Sequence, residues 1–130
     1  MKQYRPVGFE ELELIKKSGW TQFPPRLPEQ PIFYPVLNID YARQIAKDWN
    51  SKSAPYFAGY VTEFEIDDQY IKIFKVQIVG SSMHKEIWVP AEELDNFNRH
   101  IMGKIHVAET YFGKGSDAVK ENTEALEIRL

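Results

Sequence analysis

Four prolines lie within a single short stretch of the chain, at positions 24, 25, 28 and 31. Proline fixes φ and lacks a backbone N–H, and it disfavours helical geometry at the residue before it. The stretch therefore excludes a helix and predicts an extended, restrained loop. Such a loop can form one wall of a pocket.

The length of 130 residues predicts one compact domain, because two independent cores need more material. We expect the domain to cover residues 1–112. Residues 113–130 are polar and glycine-punctuated, and they predict a mobile tail. The end of that tail, Ala125–Leu130, stays open as a last helical turn or strand.

Helical periodicity is visible in three places. Phe9, Leu12 and Ile15 predict a helix that stops at Ser18-Gly19, where glycine accepts left-handed geometry. A second helix is predicted after the N-cap Asn38. Its apolar stripe consists of Tyr41, Ala42, Ile45, Ala46 and Trp49. A third helix is predicted after Pro90, with Leu94, Phe97 and Ile101 on one face and Gly103 at its end.

Apolar and β-branched segments between these helices predict strands. They cover residues 4–7, 32–37, 56–66, 86–89 and 105–112. Asp67-Asp68 is compatible with a cap or a turn, and residues 76–79 with a strand or a loop. This order favours an α+β domain with short mixed or antiparallel strands and about three helices, and a doubly wound sheet is the alternative. The predicted core consists of Leu12, Ile15, Ala42, Ile45, Trp49, Trp88, Leu94 and Phe97.

Composition narrows the classes of function. The net charge of −3 disfavours non-specific nucleic-acid binding, although a chain of this net charge can still have a local basic groove. The absence of cysteine excludes disulfides, thiolate catalysis and cysteine-based zinc sites. The sequence has neither a signal-like N-terminus nor an apolar run of membrane-spanning length, so we expect a cytoplasmic protein without membrane association.

The common enzymatic signatures are missing, so candidate site residues must be sought one by one. Arg5, on the first predicted strand, carries the planar fork of donors that suits a diphosphate. Alternation places Phe33 and Tyr34 on opposite faces, so one aromatic can pack in the core while the other faces a cleft and stacks on a ring, although core packing of both is the commoner outcome. Glu86 begins a strand and shares a face with His84. Each of these residues also has an ordinary structural explanation, and the irregular spacing of the histidines predicts no metal site.

These segments together resemble a known family. A first-strand Arg, the pattern Phe-Tyr-x-x-x-Asn-x-x-Tyr-Ala and a later Glu followed by Trp-Val-Pro are similar to the ADP-ribosyltransferase fold. Residues 4–112 also resemble small bacterial proteins labelled "ADP-ribosylation/crystallin J1", through Tyr-Arg-Pro-Val-Gly and Glu-Ile-Trp-Val-Pro-Ala-Glu-Glu-Leu. The hydrolases to which that label also points are larger, all-helical and metal-dependent, and the chain does not fit them.

The resemblance implies an NAD-binding ADP-ribosyltransferase-like protein with Glu86 as the catalytic residue. Arg5, Tyr34 and His84 would bind NAD or a related nucleotide, and the acceptor stays open, with a protein as one candidate. Enzymes of the family that modify arginine usually carry Glu at the position of His84, so the motif does not identify the acceptor. A second hypothesis is a non-catalytic module that uses the loop Pro24–Pro31 to hold another ligand or a protein partner.

Overall fold

The computed structural model describes residues 1–116. In chain order its elements are β1 (Lys2–Val7), α1 (Phe9–Lys17), β2 (Ile32–Phe33), α2 (Ile39–Asp48), β3 (Ala58–Ile66), α3 (Asp68–Ile71), β4 (Val76–Ile78), β5 (Lys85–Ile87), β6 (Val89–Pro90), α4 (Leu94–Arg99) and β7 (Ile101–Phe112). Short 3-10 helices cover Asn50–Lys52 and Ala91–Glu93. The predicted α+β class is confirmed, with antiparallel strands and four α-helices where about three were expected.

Five of the seven described strands form one antiparallel arrangement in which Val36 connects two parts. β1 pairs with β3, and β3 with β7. Val36 then joins this sheet to the hairpin of β4 and β5, because it bridges Tyr4 on one side and Glu86 on the other. β1, the bridging segment at Val36 and β5 therefore lie side by side. β2 pairs separately with β6.

The first helix follows its sequence signals. Phe9, Leu12 and Ile15 are buried, as the periodicity predicts. Ser18 is the C-cap, and Gly19 adopts a φ of 79°, in the left-handed region that glycine tolerates best. The proline-rich segment that follows α1 forms no helix, as predicted.

The second helix begins at its predicted cap, where the Asn38 side chain accepts a hydrogen bond from the Tyr41 N–H at 2.8 Å. Its close approach to β3 requires Gly59, because a Cβ there would lie 2.4 Å from the Ala46 carbonyl oxygen. The prediction that Trp49 is a core residue is wrong, since 72% of it is exposed. The helix ends at Asp48, so the helical spacing no longer carries Trp49 back to the inner face.

Two apolar clusters lie on the two faces of the central sheet. The larger contains residues of α1, β2 and α4 together with Ala58, Tyr60, Phe64 and Ile66 of β3, and the smaller places α2 against Val36 and Val61. Among the remaining predicted core residues, Leu12, Ile15, Ala42, Leu94 and Phe97 are buried and Ile45 is partly buried. The prediction that Trp88 lies in the core is wrong. Trp88 alternates with the buried Ile87 and Val89, so it points outward and remains 48% exposed.

The last described strand differs from its predicted boundaries. The sequence predicts that Gly103 ends a helix that includes Ile101, but both residues belong to β7. The pairing of β3 with β7 shifts between Glu63 and Glu65, and Gly103 has a φ of 76° at this irregularity. A glycine in such a strand position marks a bulge as well as it marks a helix end.

The expected boundary of the domain lies close to the end of the described chain. After β7, the Gly113 N–H donates to the Phe57 carbonyl oxygen at 2.8 Å, and Ser116 is buried. These residues belong to the stretch expected as a tail, and Gly113 contacts the loop that precedes β3. The rest of that stretch, 117–130, lies outside the described residues.

Candidate functional site

A cluster of three charged side chains lies beside the N-terminal half of α1. Glu11 accepts two hydrogen bonds from Arg5, with Nε–Oε2 and Nη2–Oε1 distances of 2.9 and 3.1 Å. Arg26, from the proline-rich loop, approaches the same carboxylate at 3.6 Å. The side chains of Arg5, Arg26 and Glu11 are only 9%, 6% and 19% exposed. We name these three residues the guanidinium cluster.

Burial and charge act in opposite directions on the pKa of Glu11. Burial raises it, but the charges and hydrogen bonds of Arg5 and Arg26 outweigh burial, so the net pKa is lowered. For Arg26, burial and the charge of Arg5 lower the pKa, and Glu11 offsets this only in part. Glu11 is therefore ionised at neutral pH, and the cluster contains two cations and one anion.

Two aromatic rings cover the guanidinium of Arg5. Its Cζ lies 4.8 Å from the centre of the Phe33 ring and 5.4 Å from that of Tyr34. Phe33 is fully buried, whereas Tyr34 is 42% exposed. The two residues differ in burial as the alternation predicts, core packing of both is not found, and the cleft expected beside Tyr34 stays a prediction. Arg26 also lies over the Phe33 ring, at 5.3 Å.

Glu86 is a buried carboxylate, 7% exposed, that is held by neutral donors. The Tyr41 hydroxyl donates to Oε2 at 2.9 Å, and the Trp88 indole N–H donates to Oε1 at 2.6 Å. Glu86 forms no ion pair with any residue in 1–116. Burial, together with the hydrogen bond to Glu86, raises the pKa of Tyr41 to about 12, so the phenol keeps its proton at neutral pH.

His84 contacts this group through Tyr41. The two rings stack with their centres 4.4 Å apart and their planes at 21°. The His84 nitrogens lie 3.1 Å from the Val79 carbonyl oxygen and 2.8 Å from the Gln44 side-chain oxygen. His84 therefore supports the ring whose hydroxyl orients the Glu86 carboxylate.

The four predicted site residues form two pairs rather than one constellation. Arg5 and Tyr34 lie together, and His84 and Glu86 are linked by Tyr41. Paired residues on neighbouring strands point to the same face, so Glu86 shares a face with Tyr4, while Arg5, the next residue in β1, points to the other. Arg5 accordingly contacts α1, and Glu86 contacts α2. The Tyr34 ring lies near Arg5, and no contact of it with Glu86 is found within residues 1–116.

A cavity of about 360 Å³ lies next to the guanidinium cluster. Its walls are the N-terminal half of α1, the proline-rich loop and residues 50–58. Apolar side chains dominate the lining, and Glu11 and Arg26 contribute its buried charges. The sequence predicts that the loop can wall a pocket, and five of its residues do so: Pro24, Pro25, Arg26, Leu27 and Gln30.

Sequence reasoning missed Glu11, Arg26 and Asn50 as site residues. Two atoms of this pocket, Arg26 Nε and Asn50 Oδ1, are buried without a hydrogen-bond partner in the described structure. An arginine flanked by prolines was the available signal for Arg26, because an ordered loop can hold a buried guanidinium. Its partner Glu11 gives no such signal, since its sequence position alone suggests an ordinary acidic residue in a first helical turn.

Comparison with known proteins assigns no family to the chain, because no family model, curated protein or solved structure matches it. Within residues 1–116, no three acidic or histidine side chains gather as a potential metal site. The described helices include none that is long and apolar enough to cross a membrane.

Proposed function

We propose that the protein is a small-molecule-binding domain whose ligand occupies the cavity beneath the proline-rich loop. The observation that carries this proposal is a cavity of about 360 Å³ with a mostly apolar lining and two buried polar atoms that lack partners. Binding sites for small molecules commonly combine an apolar cleft with a few polar groups that orient the ligand. This is the second of the two hypotheses that the sequence suggests.

The polar atoms give the pocket its selectivity. An unpaired buried donor or acceptor costs about 1–3 kcal/mol, so a ligand that pairs with it restores stability that the free protein lacks. Arg26 Nε is a donor and Asn50 Oδ1 an acceptor, each with less than 1 Å² exposed, so neighbouring atoms must shift before a ligand can pair with either. The prolines around Arg26 limit the motion of the loop, which keeps the ordering cost of binding low.

Blocking the cavity tests this proposal. Gly8 lines the cavity and has a φ of −86° that any residue adopts, and a Cβ added there would meet no other atom within 4 Å. Gly8→Leu should therefore fold normally and weaken the binding of benzyl alcohol or benzamide, followed by NMR chemical-shift changes at pocket residues. The control is Ala91→Leu, at an exposed position away from the pocket. Equal probe binding by both variants contradicts the proposal.

A second candidate function is ADP-ribosyl transfer from NAD, and the placement of Glu86 favours it. Glu86 is a buried carboxylate oriented by two neutral donors, the Tyr41 hydroxyl and the Trp88 indole N–H. Without a cation to neutralise it, this carboxylate could stabilise positive charge on the ribosyl carbon as nicotinamide leaves. For Arg5 to bind the diphosphate of the same NAD, it would have to leave Glu11 and turn to the face of Glu86, and the acceptor is not identified.

Nicotinamide release tests the second candidate. Glu86→Gln keeps the volume and removes the charge, so it should nearly abolish release while NAD affinity stays within several-fold. Arg5→Ala should instead raise KM, because the diphosphate contact is present in ground and transition states alike. Glu92→Gln, at an exposed position, is the control. A wild-type protein that neither binds NAD at about 1 mM, the upper end of common KM values, nor releases nicotinamide refutes this candidate.

A further inference from the structure

We infer that the ligand of the proline-loop cavity is a small organic monoanion, a carboxylate on an apolar body, whose charged end binds Arg26. The inference rests on the proposed function and names its ligand class. It requires nothing of Glu86 or of NAD. Its basis is the charge of the guanidinium cluster, the free donor of Arg26 and the character of the cavity wall.

The guanidinium cluster contains one more cation than anion. Both guanidinium groups share the single carboxylate of Glu11, and Arg5 takes the better geometry with two hydrogen bonds. An uncompensated charge away from water is unfavourable unless a counter-charge reaches it. Glu10 also lines the cavity, but it is exposed to solvent and bonded to Tyr56, so it screens Arg26 poorly. A second anion beside Arg26 would balance the cluster.

Arg26 also has hydrogen-bonding capacity to spare. Its Nε–H has no acceptor in the described structure, and its Nη2 makes a long hydrogen bond of 3.4 Å to the Pro24 carbonyl oxygen and lies 3.6 Å from Glu11 Oε1. A carboxylate matches the fork of a guanidinium group and can accept two parallel hydrogen bonds. One surplus charge and one free buried donor suit a monoanion, whereas a diphosphate would need several more donors.

The cavity wall determines the rest of the ligand. Phe9, Leu14, Pro25, Leu27 and Pro55 give it an apolar surface. A volume of about 360 Å³ is near the lower end for ligand pockets, so the apolar body should be close to a phenyl ring with a short chain. Asn50 Oδ1 adds one acceptor, which favours a body with a hydroxyl or N–H group.

Three probes of one shape and different charge test the inference. They are 3-phenylpropionate, 3-phenylpropanamide and 3-phenylpropylamine, titrated into the full chain and followed by amide chemical shifts. A hydrogen bond to a charged group contributes enough for about a tenfold difference in affinity. We therefore expect the anion to bind wild type at least about tenfold more tightly than the amide, and the amine to bind most weakly.

Two substitutions assign the preference to Arg26. Arg26→Gln leaves the Arg5–Glu11 pair intact and should remove the preference for the anion, while Arg99→Gln makes the same charge change at an exposed position and should keep it. Leu14→Glu does not touch the cluster and changes a half-exposed wall residue, so it serves if Arg26→Gln fails to fold. Compared with Leu14→Gln, which loses the same apolar contact, it should weaken the anion several-fold and leave the amide unchanged.

The outcomes separate the inference from the function on which it rests. If the amide or the amine binds in the cavity as tightly as the anion, the cavity is a binding site and the inference is overturned. If the preference persists in Arg26→Gln, or if Leu14→Glu weakens anion and amide equally, the inference is also overturned. If no probe shifts the cavity residues, the proposed function and the inference both fail.

Discussion

Removing the one carboxylate of the guanidinium cluster is the sharpest test of the fold's electrostatics. Glu11→Gln leaves Arg5 and Arg26 facing each other without a counter-charge, with side chains only 9% and 6% exposed. Breaking a buried ion pair from one side costs about 3–5 kcal/mol. Because Glu11 is 19% exposed, water screens part of this, and we expect a loss of about 2–4 kcal/mol.

Urea unfolding measures this loss directly. With an m-value of about 1.5 kcal/mol/M, the midpoint should fall by roughly 1.3–2.7 M while m stays constant. Glu13→Gln makes the same chemical change at a residue that has no ion-pair partner within residues 1–116, and it should shift stability by less than about 0.5 kcal/mol. A loss below about 1 kcal/mol for Glu11→Gln would refute the reasoning, because it would equal that of a surface pair.

The pH dependence provides an independent check. The pKa of Glu11 is lowered from its ordinary value of 4.5, so its stabilisation is fully present above that value and is lost as the pH falls through the folded-state pKa. Wild type and Glu11→Gln should therefore differ most near neutral pH and converge in acid. A constant difference down to acidic pH would show that the lost interaction does not depend on the carboxylate charge.

Three further outcomes follow from the burial and hydrogen bonds described above. Trp49→Ala should change the free energy of unfolding by less than about 0.5 kcal/mol, since its ring is exposed. Phe97→Ala, at a fully buried ring, should cost about 3–5 kcal/mol in the same urea titration. Glu86→Gln should lower the pKa of Tyr41 from about 12 but leave it above its ordinary value of 10, because burial remains; NMR titration of labelled tyrosine measures it, and an unchanged pKa would contradict the role of Glu86.

The sequence predicted the end of α1 and the start of α2 correctly, because each of these signals depends only on residues nearby in the chain. Gly19 and Asn38 end and begin helices through backbone geometry and one short hydrogen bond, and neither depends on distant residues. Gly103 shows the limit of such signals. A left-handed glycine fits a helix end and a strand bulge equally well, and only the register of β3 against β7 decides between them.

The errors and omissions concern contacts between distant segments. Trp88 is large and apolar, which favours a core position. Strand alternation turns its side chain outward, however, and its indole N–H donates a hydrogen bond to Glu86. Glu11 and Arg26 are separated by a helix end and a run of prolines, so no periodic pattern links them. The fold alone brings the carboxylate between two guanidinium groups, and this arrangement is the part of the candidate site that sequence could not supply.

Strand alternation explains why Arg5 and Glu86, two groups of opposite charge in one sheet, do not pair with each other. Arg5 and Glu86 lie two strands apart, roughly 10 Å at the usual strand spacing, a distance that an arginine side chain can largely span. They do not pair because Tyr4, not Arg5, is in register with Val36 and Glu86. A slip of β1 by one residue would turn Arg5 to the face of Glu86 and away from Glu11. The register therefore preserves a cationic group on the face of α1 and an anionic group on the face of α2, each with chemistry left for a ligand.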